Sequence, residues 1–317
     1  MVPRPAKERA SVAPFIIAII STFALAGFFM VYPFSVGKTE EPAPVEIEPE
    51  SGTGAENGGG DHGGGPNGGQ EVAILPDKID MQPVVDEWIN SISGRASVMI
   101  YDLERNEIIG EYNSTELFNT ASLYKLFVVY EGYRRLESGE WNADDIAGST
   151  GLSILECLDL SIRESYSPCA ETLWAMIGHE ELDNIIVNDF GIVNSNISGI
   201  TSNANDITEM MKKFYHHTDI TNPTYIEKMK DSFLNQPVTT YDWRRGLPSG
   251  FSENILVYNK VGWDYDADGG YWNLFHDAAI LDAPSLNRHF IVVEMTHAVS
   301  ISSIKNLAAS IEAALNL

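Results

Sequence analysis

The sequence predicts a mixed α/β domain of the α+β type: an antiparallel five-stranded sheet formed from both ends of the folded region, flanked by helices, with an inserted all-helical lobe. Three observations point there. Strand-like runs cluster near the two ends, at Ala96–Asp102 and Ile108–Tyr112, then at Ile255–Val261, Leu274–Leu281 and His289–Met295. Between them, from Asn142 to about Asn235, helical spacing with polar interruptions dominates. The first quarter shows neither period, which leaves roughly 240 residues for a single core.

Taken in order, residues 1–9 carry Arg4, Lys7 and Arg9 against one acid, Glu8, and no charged residue follows from Ala10 to Gly37. Such a run is long enough to span a bilayer, and its basic flank belongs in the cytoplasm. We read residues 1–9 as a cytoplasmic tail and 10–37 as a single-pass anchor that places the rest outside the cell membrane. The alternative is a cleavable signal peptide ending at Ala24-Leu25-Ala26, but the apolar run continues through Phe28, Phe29, Met30 and Val31. Residues 38–76 turn to Glu, Pro and Gly, including Gly58-Gly59-Gly60 and Gly63-Gly64-Gly65. That is a flexible tether, with a root-mean-square reach on the order of 35 Å. The catalytic candidate is therefore the domain spanning 77–317.

Within it, Val84, Val85, Trp88, Ile89 and Ile92 repeat at helical spacing ahead of the first two strands, which a turn at Glu104-Arg105-Asn106 joins. Next comes Asn119-Thr120-Ala121-Ser122-Leu123-Tyr124-Lys125. Thr120 or Asn119 suits a helix cap, and Leu126, Val129, Tyr130 and Tyr133 carry the helix to the Ser138-Gly139 stop. Ser122 is then expected in a first helical turn, where free N–H groups favour an oxyanion, with Lys125 on the same face. A lysine works as a base only if burial or a neighbouring cation lowers its pKa. The same spacing recurs at Ser35/Lys38 and Ser302/Lys305, so the pair alone does not identify a site. A final helix is expected over Ile304–Leu317.

A net charge of -25 argues against nucleic acid as a partner, since the phosphate contribution would be repulsive. Cys157 and Cys169 are too few for a disulfide framework and lack zinc spacing; outside the cytoplasm they can pair with each other or stay free and buried. Asp264-Tyr265-Asp266-Ala267-Asp268-Gly269 matches half of a calcium loop, but Phe275 stands where the bidentate glutamate belongs, and an acidic turn between strands is the preferred reading. No metal or cofactor is expected.

Two motifs follow Ser122 in order: Ser165-Tyr166-Ser167, just before Pro168, and Lys260-Val261-Gly262 on a C-terminal strand. With the Ser122–Lys125 pair they resemble the S-x-x-K, S-D-N and K-T-G signatures of the penicillin-recognising serine enzymes, closest to the class A β-lactamase-like branch, over residues 80–317. Supporting pieces are Leu247-Pro248-Ser249-Gly250, Thr201-Ser202-Asn203 before the Asp206 helix, and the strand from His276 to Ile280. The resemblance implies a β-lactamase-like fold, Ser122 as nucleophile, Lys125 as its base, Ser165 as proton relay and Lys260 as the source of positive potential. It implies backbone N–H groups of Ser122 and Trp263 as the oxyanion hole, and Tyr166, Ser167, Val261 and Gly262 as substrate contacts. The expected partner is a small-molecule β-lactam or a peptidoglycan stem peptide.

Three departures qualify that expectation. Val261 replaces a threonine, removing a hydroxyl for a substrate carboxylate. Tyr166 and Ser167 replace aspartate and asparagine. Glu171 stands at an asparagine position, and between Glu181 and Asn205 the only acids are Asp183 and Asp189, so the deacylating glutamate is missing. Glu171 is the remaining candidate base. A serine hydrolase that deacylates slowly is the leading reading; a D,D-peptidase and a non-hydrolysing receptor are its rivals.

Overall fold

The structure, a computed structural model, describes residues 77–237, 242–266 and 271–316. The expected tail, anchor and tether lie outside the described residues, as do residues 267–270 of the calcium-like segment. Among the described residues no helix is long and apolar enough to cross a membrane, and no cluster of metal-binding side chains occurs.

Five antiparallel strands form the sheet in the order β2-β1-β7-β6-β5. They are β1 (Arg95–Asp102), β2 (Glu107–Tyr112), β5 (Leu256–Asp266), β6 (Tyr271–Ala283) and β7 (Arg288–His297). The expected sheet from both termini is thus present, closed where β1 pairs β7 from Arg95↔His297 to Asp102↔Phe290. Both faces are covered, so β1 is buried from Ala96 to Asp102 and reads as a nearly unbroken apolar run. Met99 and Tyr101 face the helical lobe; Val98 and Ile100 face the terminal helices.

Those terminal helices are α1 (Gln82–Ser91) and α8 (Ile301–Leu315), the latter starting three residues before its expected first residue because Ser300 caps it through Ser303 N. α1 also covers the β2 edge: Met81 N–H donates to Ile109 O at 2.7 Å, and Gln82 exchanges two bonds with the Glu111 backbone. The lobe comprises α2 (Tyr124–Ser138), α3 (Ile154–Arg163), α4 (Ser167–Ile177), α5 (His179–Asn188), α6 (Ala204–His216) and α7 (Pro223–Leu234). A two-residue pair, β3 (Phe118–Asn119) with β4 (Thr201–Ser202), ties its base to the segment before Ser122. Cys157 in α3 and Cys169 in α4 are joined as a disulfide, which settles the open question of their pairing.

Candidate active site

Ser122 lies in a 3-10 turn, Ala121–Leu123, that precedes α2, instead of in the first turn of the α-helix. Thr120 does not cap it with its side chain; Asn119 Oδ1 accepts the Ala121 N–H at 2.8 Å instead. Ala121 is held at φ 43, the left-handed region that costs a non-glycine residue about 1–3 kcal/mol. Two contacts over-determine this turn. Thr120 N–H donates to Ile200 O at 2.9 Å, and the Asn119 carbonyl accepts from His276 Nε2 at 2.7 Å. His276 takes the Thr296 N–H on Nδ1 at 2.9 Å, so its proton sits on Nε2. Burial pushes its pKa down to about 4, keeping it neutral in that tautomer.

Behind the turn runs β5. A Cβ on Gly262 would stand 2.7 Å from Thr120 O and 2.8 Å from Leu123 Cγ, so only glycine lets the strand approach the serine turn this closely. Gly262 is therefore a packing requirement for Ser122, and its partner across the sheet is His276. Val261 is 1 % exposed, and neither Val261 nor Gly262 lines the cleft, so their expected substrate contacts do not come from side chains.

Lys125 and Lys260 come from α2 and β5 and converge on Ser165 in the loop between α3 and α4. Lys260 Nζ donates to Ser165 Oγ at 2.8 Å and to Val261 O at 2.7 Å. Lys125 Nζ donates to Ser165 O at 2.5 Å, Ser167 Oγ at 3.0 Å and Ser165 Oγ at 3.3 Å. Among the described residues no hydrogen bond joins Lys125 to Ser122: the helical spacing puts them near one another, but the lysine head is engaged by the facing loop. Ser165 is held at φ 53, a second left-handed non-glycine residue, by these same lysines. The loop is set between the α3 end and the Tyr166 N–H bond to Leu160 O, and the Cys157–Cys169 bridge ties the two helices that carry it.

The two lysines are 0 % and 1 % exposed. Burial lowers the Lys125 pKa to about 8, opposed by the Glu171 charge. Burial again, and then the Lys125 charge, hold Lys260 well below its usual range, with Asp277 opposing. The Lys125 charge thus favours neutral Lys260, while burial alone brings Lys125 toward the neutral form that a lysine base requires.

A cleft of about 620 Å³ opens above this floor, lined among others by Ser122, Tyr124, Glu164, Ser165, Tyr166, Ser167, Glu171, Trp243, Trp263 and Asp264. Tyr166 and Glu171 are exposed at its wall. The two acids of the segment before Thr201 are spent elsewhere: Asp183 accepts Ile197 N–H at 2.8 Å, and Asp189 lies 3.5 Å from Arg134. Ser302 and Lys305 sit exposed on α8 and do not line this cleft, and Ser35/Lys38 lie outside the described residues. A smaller apolar cavity of about 130 Å³, lined by Phe214, Met229, Phe233 and Tyr258, holds none of the motif residues.

Sequence reading missed the support beneath the site. Asp277, fully buried, accepts Leu247 N–H and Asn259 Nδ2–H at 2.9 Å each, and Arg244 donates to Val257 O at 3.1 Å. These bonds fasten the segment holding Trp243 to β5. Glu294 pairs with Asp277 across β6–β7, is 0 % exposed, and has neither carboxyl oxygen hydrogen-bonded. The available signals were charged letters inside strand runs, Asp277 in His276-Asp277-Ala278-Ala279-Ile280 and Glu294 in Ile291-Val292-Val293-Glu294-Met295.

The sequence profile of the beta-lactamase enzyme family matches residues 81–316. Among solved structures, a beta lactamase from Xanthomonas campestris pv. campestris is 14% identical with a TM-score of 0.62, over 74% of this chain and 96% of that one. A structure described as that of PBP-A is 16% identical with a TM-score of 0.63, over 77% and 99%. A class A beta-lactamase representative from Bacteroides cellulosilyticus is 12% identical with a TM-score of 0.63, over 75% and 99%. At these identities the likeness shows the fold. No curated protein sequence matches the chain.

Proposed function

The chain belongs to the beta-lactamase enzyme family, and from that premise we propose that it is a serine hydrolase that forms an acyl-enzyme with β-lactams or D-alanyl-D-alanine peptides and releases it slowly. The observation that carries this reading is the convergence of Lys125 and Lys260, both buried, on the Ser165 hydroxyl at the floor of the cleft that holds Ser122. Ser122 Oγ attacks the amide carbonyl carbon while neutral Lys125 takes its proton. The backbone N–H groups of Ser122 and Trp263 receive the developing oxyanion. As the C–N bond breaks, the nitrogen takes the Ser165 hydroxyl proton, and Lys260 or protonated Lys125 restores it. Ser165 suits this relay because both of its lysine contacts donate to its oxygen, leaving its own proton free to point at the nitrogen. With Lys125 neutral, the charge that disfavours a protonated Lys260 is gone, and Lys260 in its protonated form supplies positive potential for a substrate carboxylate, with Ser167 and Tyr166 beside it.

Deacylation needs a base for a water on the far side of the ester. Of the cleft's carboxylates, Glu164, Glu171 and Asp264, our candidate is Glu171, whose charge acts on Lys125; Asp183 and Asp189 are engaged elsewhere. Its charge also opposes deprotonation of Lys125, so one residue serves water activation at the expense of acylation. A D,D-peptidase acting on peptidoglycan is the second reading, favoured by the missing glutamate. Residues 10–37 would anchor the protein with the domain outside the cytoplasm, a placement that suits the Cys157–Cys169 disulfide.

The test is intact-mass spectrometry of the full chain after mixing with a penicillin. The expected result is a stoichiometric adduct that decays at least ~100-fold more slowly than it forms, the range for a missing general base. No adduct overturns the serine reading; decay as fast as formation, abolished in Glu171→Gln, makes it an efficient β-lactamase with a relocated base.

A further inference from the structure

We infer that the cleft selects acyl donors bearing an ammonium group at their acyl end, an inference that rests on the acyl-enzyme reading above. Alternation along β5 puts Lys260, Gly262 and Asp264 on one face. Gly262 packs against the Ser122 turn, so a substrate with its carboxylate near Lys260 and its carbonyl at Ser122 reaches, about 7 Å further along the strand, the exposed carboxylate of Asp264. Glu171 stands on the α4 wall, close enough to act on the charges of both Tyr124 and Lys125. Glu164 is the third exposed acid of the lining, and no arginine, histidine or exposed lysine lines the cleft among the described residues. No ion pair engages Glu164 or Glu171 there.

The acids share the wall with aromatic faces. Tyr166 is 43% exposed, and Trp263 lines the same cleft beside Asp264. An aromatic face next to carboxylates is a recognition surface for a cation, each contributing modestly in a half-solvated site. At the other end the buried Val261 side chain offers a substrate carboxylate no contact, so the acyl end carries the discrimination. The chain's net charge of -25 adds long-range repulsion of anions.

Three penicillins that differ only at one side-chain carbon read this directly: benzylpenicillin with hydrogen, ampicillin with an ammonium, carbenicillin with a carboxylate. The measurement is the second-order rate constant for adduct formation on the full chain at low ionic strength. Ampicillin should lead and carbenicillin trail by about ten-fold, the size for a two-charge difference against partly screened carboxylates. The spread, taken as the ratio of the ampicillin and carbenicillin rates to the benzylpenicillin rate of the same protein, should shrink in 0.5 M salt, with a Debye length of about 4 Å, and in the double variant Asp264→Asn, Glu164→Gln. Equal rates for all three, or a spread that survives the double variant, overturn this inference while leaving the acyl-enzyme intact. Absence of any adduct overturns both.

Discussion

Replacing Gly262 by alanine tests whether the strand holds the nucleophile. The new Cβ would stand 2.7 Å from Thr120 O, 2.8 Å from Leu123 Cγ and 3.3 Å from His276 Cβ. The first of these is backbone in a turn fixed by the His276 bond to Asn119 O and the Thr120 bond to Ile200 O, so it cannot rotate out of the way. Overpacking of this kind costs about 1–3 kcal/mol, which for a domain of this size lowers Tm by roughly 2–10 °C. The larger effect is on chemistry. Relieving the contact means moving the Ser122 turn by some tenths of an ångström to 1 Å, and misplacement on that scale costs up to ~100-fold. Adduct formation should slow by 10-fold to ~100-fold while the circular dichroism spectrum at 25 °C is retained. Acylation within about two-fold of wild type, with Tm unchanged, would refute the claim that β5 seats the serine turn.

Acylation should rise with pH as Lys125 loses its proton, with an ascending limb near pH 8. Because the Glu171 charge holds that proton on, Glu171→Gln should move the limb to lower pH; a limb that does not move would separate Glu171 from Lys125. Glu294 is buried with its pKa raised well above 4.5, first by burial and then by the Asp277 charge. A raised folded pKa leaves stability intact below the unfolded value and erodes it as pH rises toward the folded value. Glu294→Gln removes that penalty, so its Tm should exceed wild type at pH 8 by about 2–10 °C, for ~1–3 kcal/mol, and approach it at pH 4. A pH-independent difference in thermal melts would contradict this.

The sheet was legible because each of its five strands carries an apolar run bounded by turn residues, and because runs at both ends of the domain have no partners except each other. The order β2-β1-β7-β6-β5 was not legible, since pairing of the two ends leaves open which strands meet. What the sequence could not show is long-range geometry. The two-residue strands β3 and β4 are too short for any period. The 3-10 turn at Ser122 arises from bonds to Ile200 and His276, which lie roughly 80 and 150 residues away, while local spacing favoured an α-helical turn with a side-chain cap. Lys125 and Lys260 were legible as a pair by motif order, yet their meeting at Ser165 depends on a loop whose positive φ no propensity announces. Cys157 and Cys169 pair because α3 and α4 pack with their Cα atoms 4.9 Å apart, a separation absent from sequence. Val261 shows the opposite case: its motif position suggested a substrate contact, while strand alternation buries its side chain.

Which atom is acylated decides whether Ser122 is the nucleophile. Full-length protein trapped with a penicillin at short times, digested and mapped by tandem mass spectrometry should carry the adduct on Ser122 alone, and Ser122→Ala should carry none. An adduct on Ser165, Ser302 or Ser35, or labelling that persists in Ser122→Ala, would contradict it.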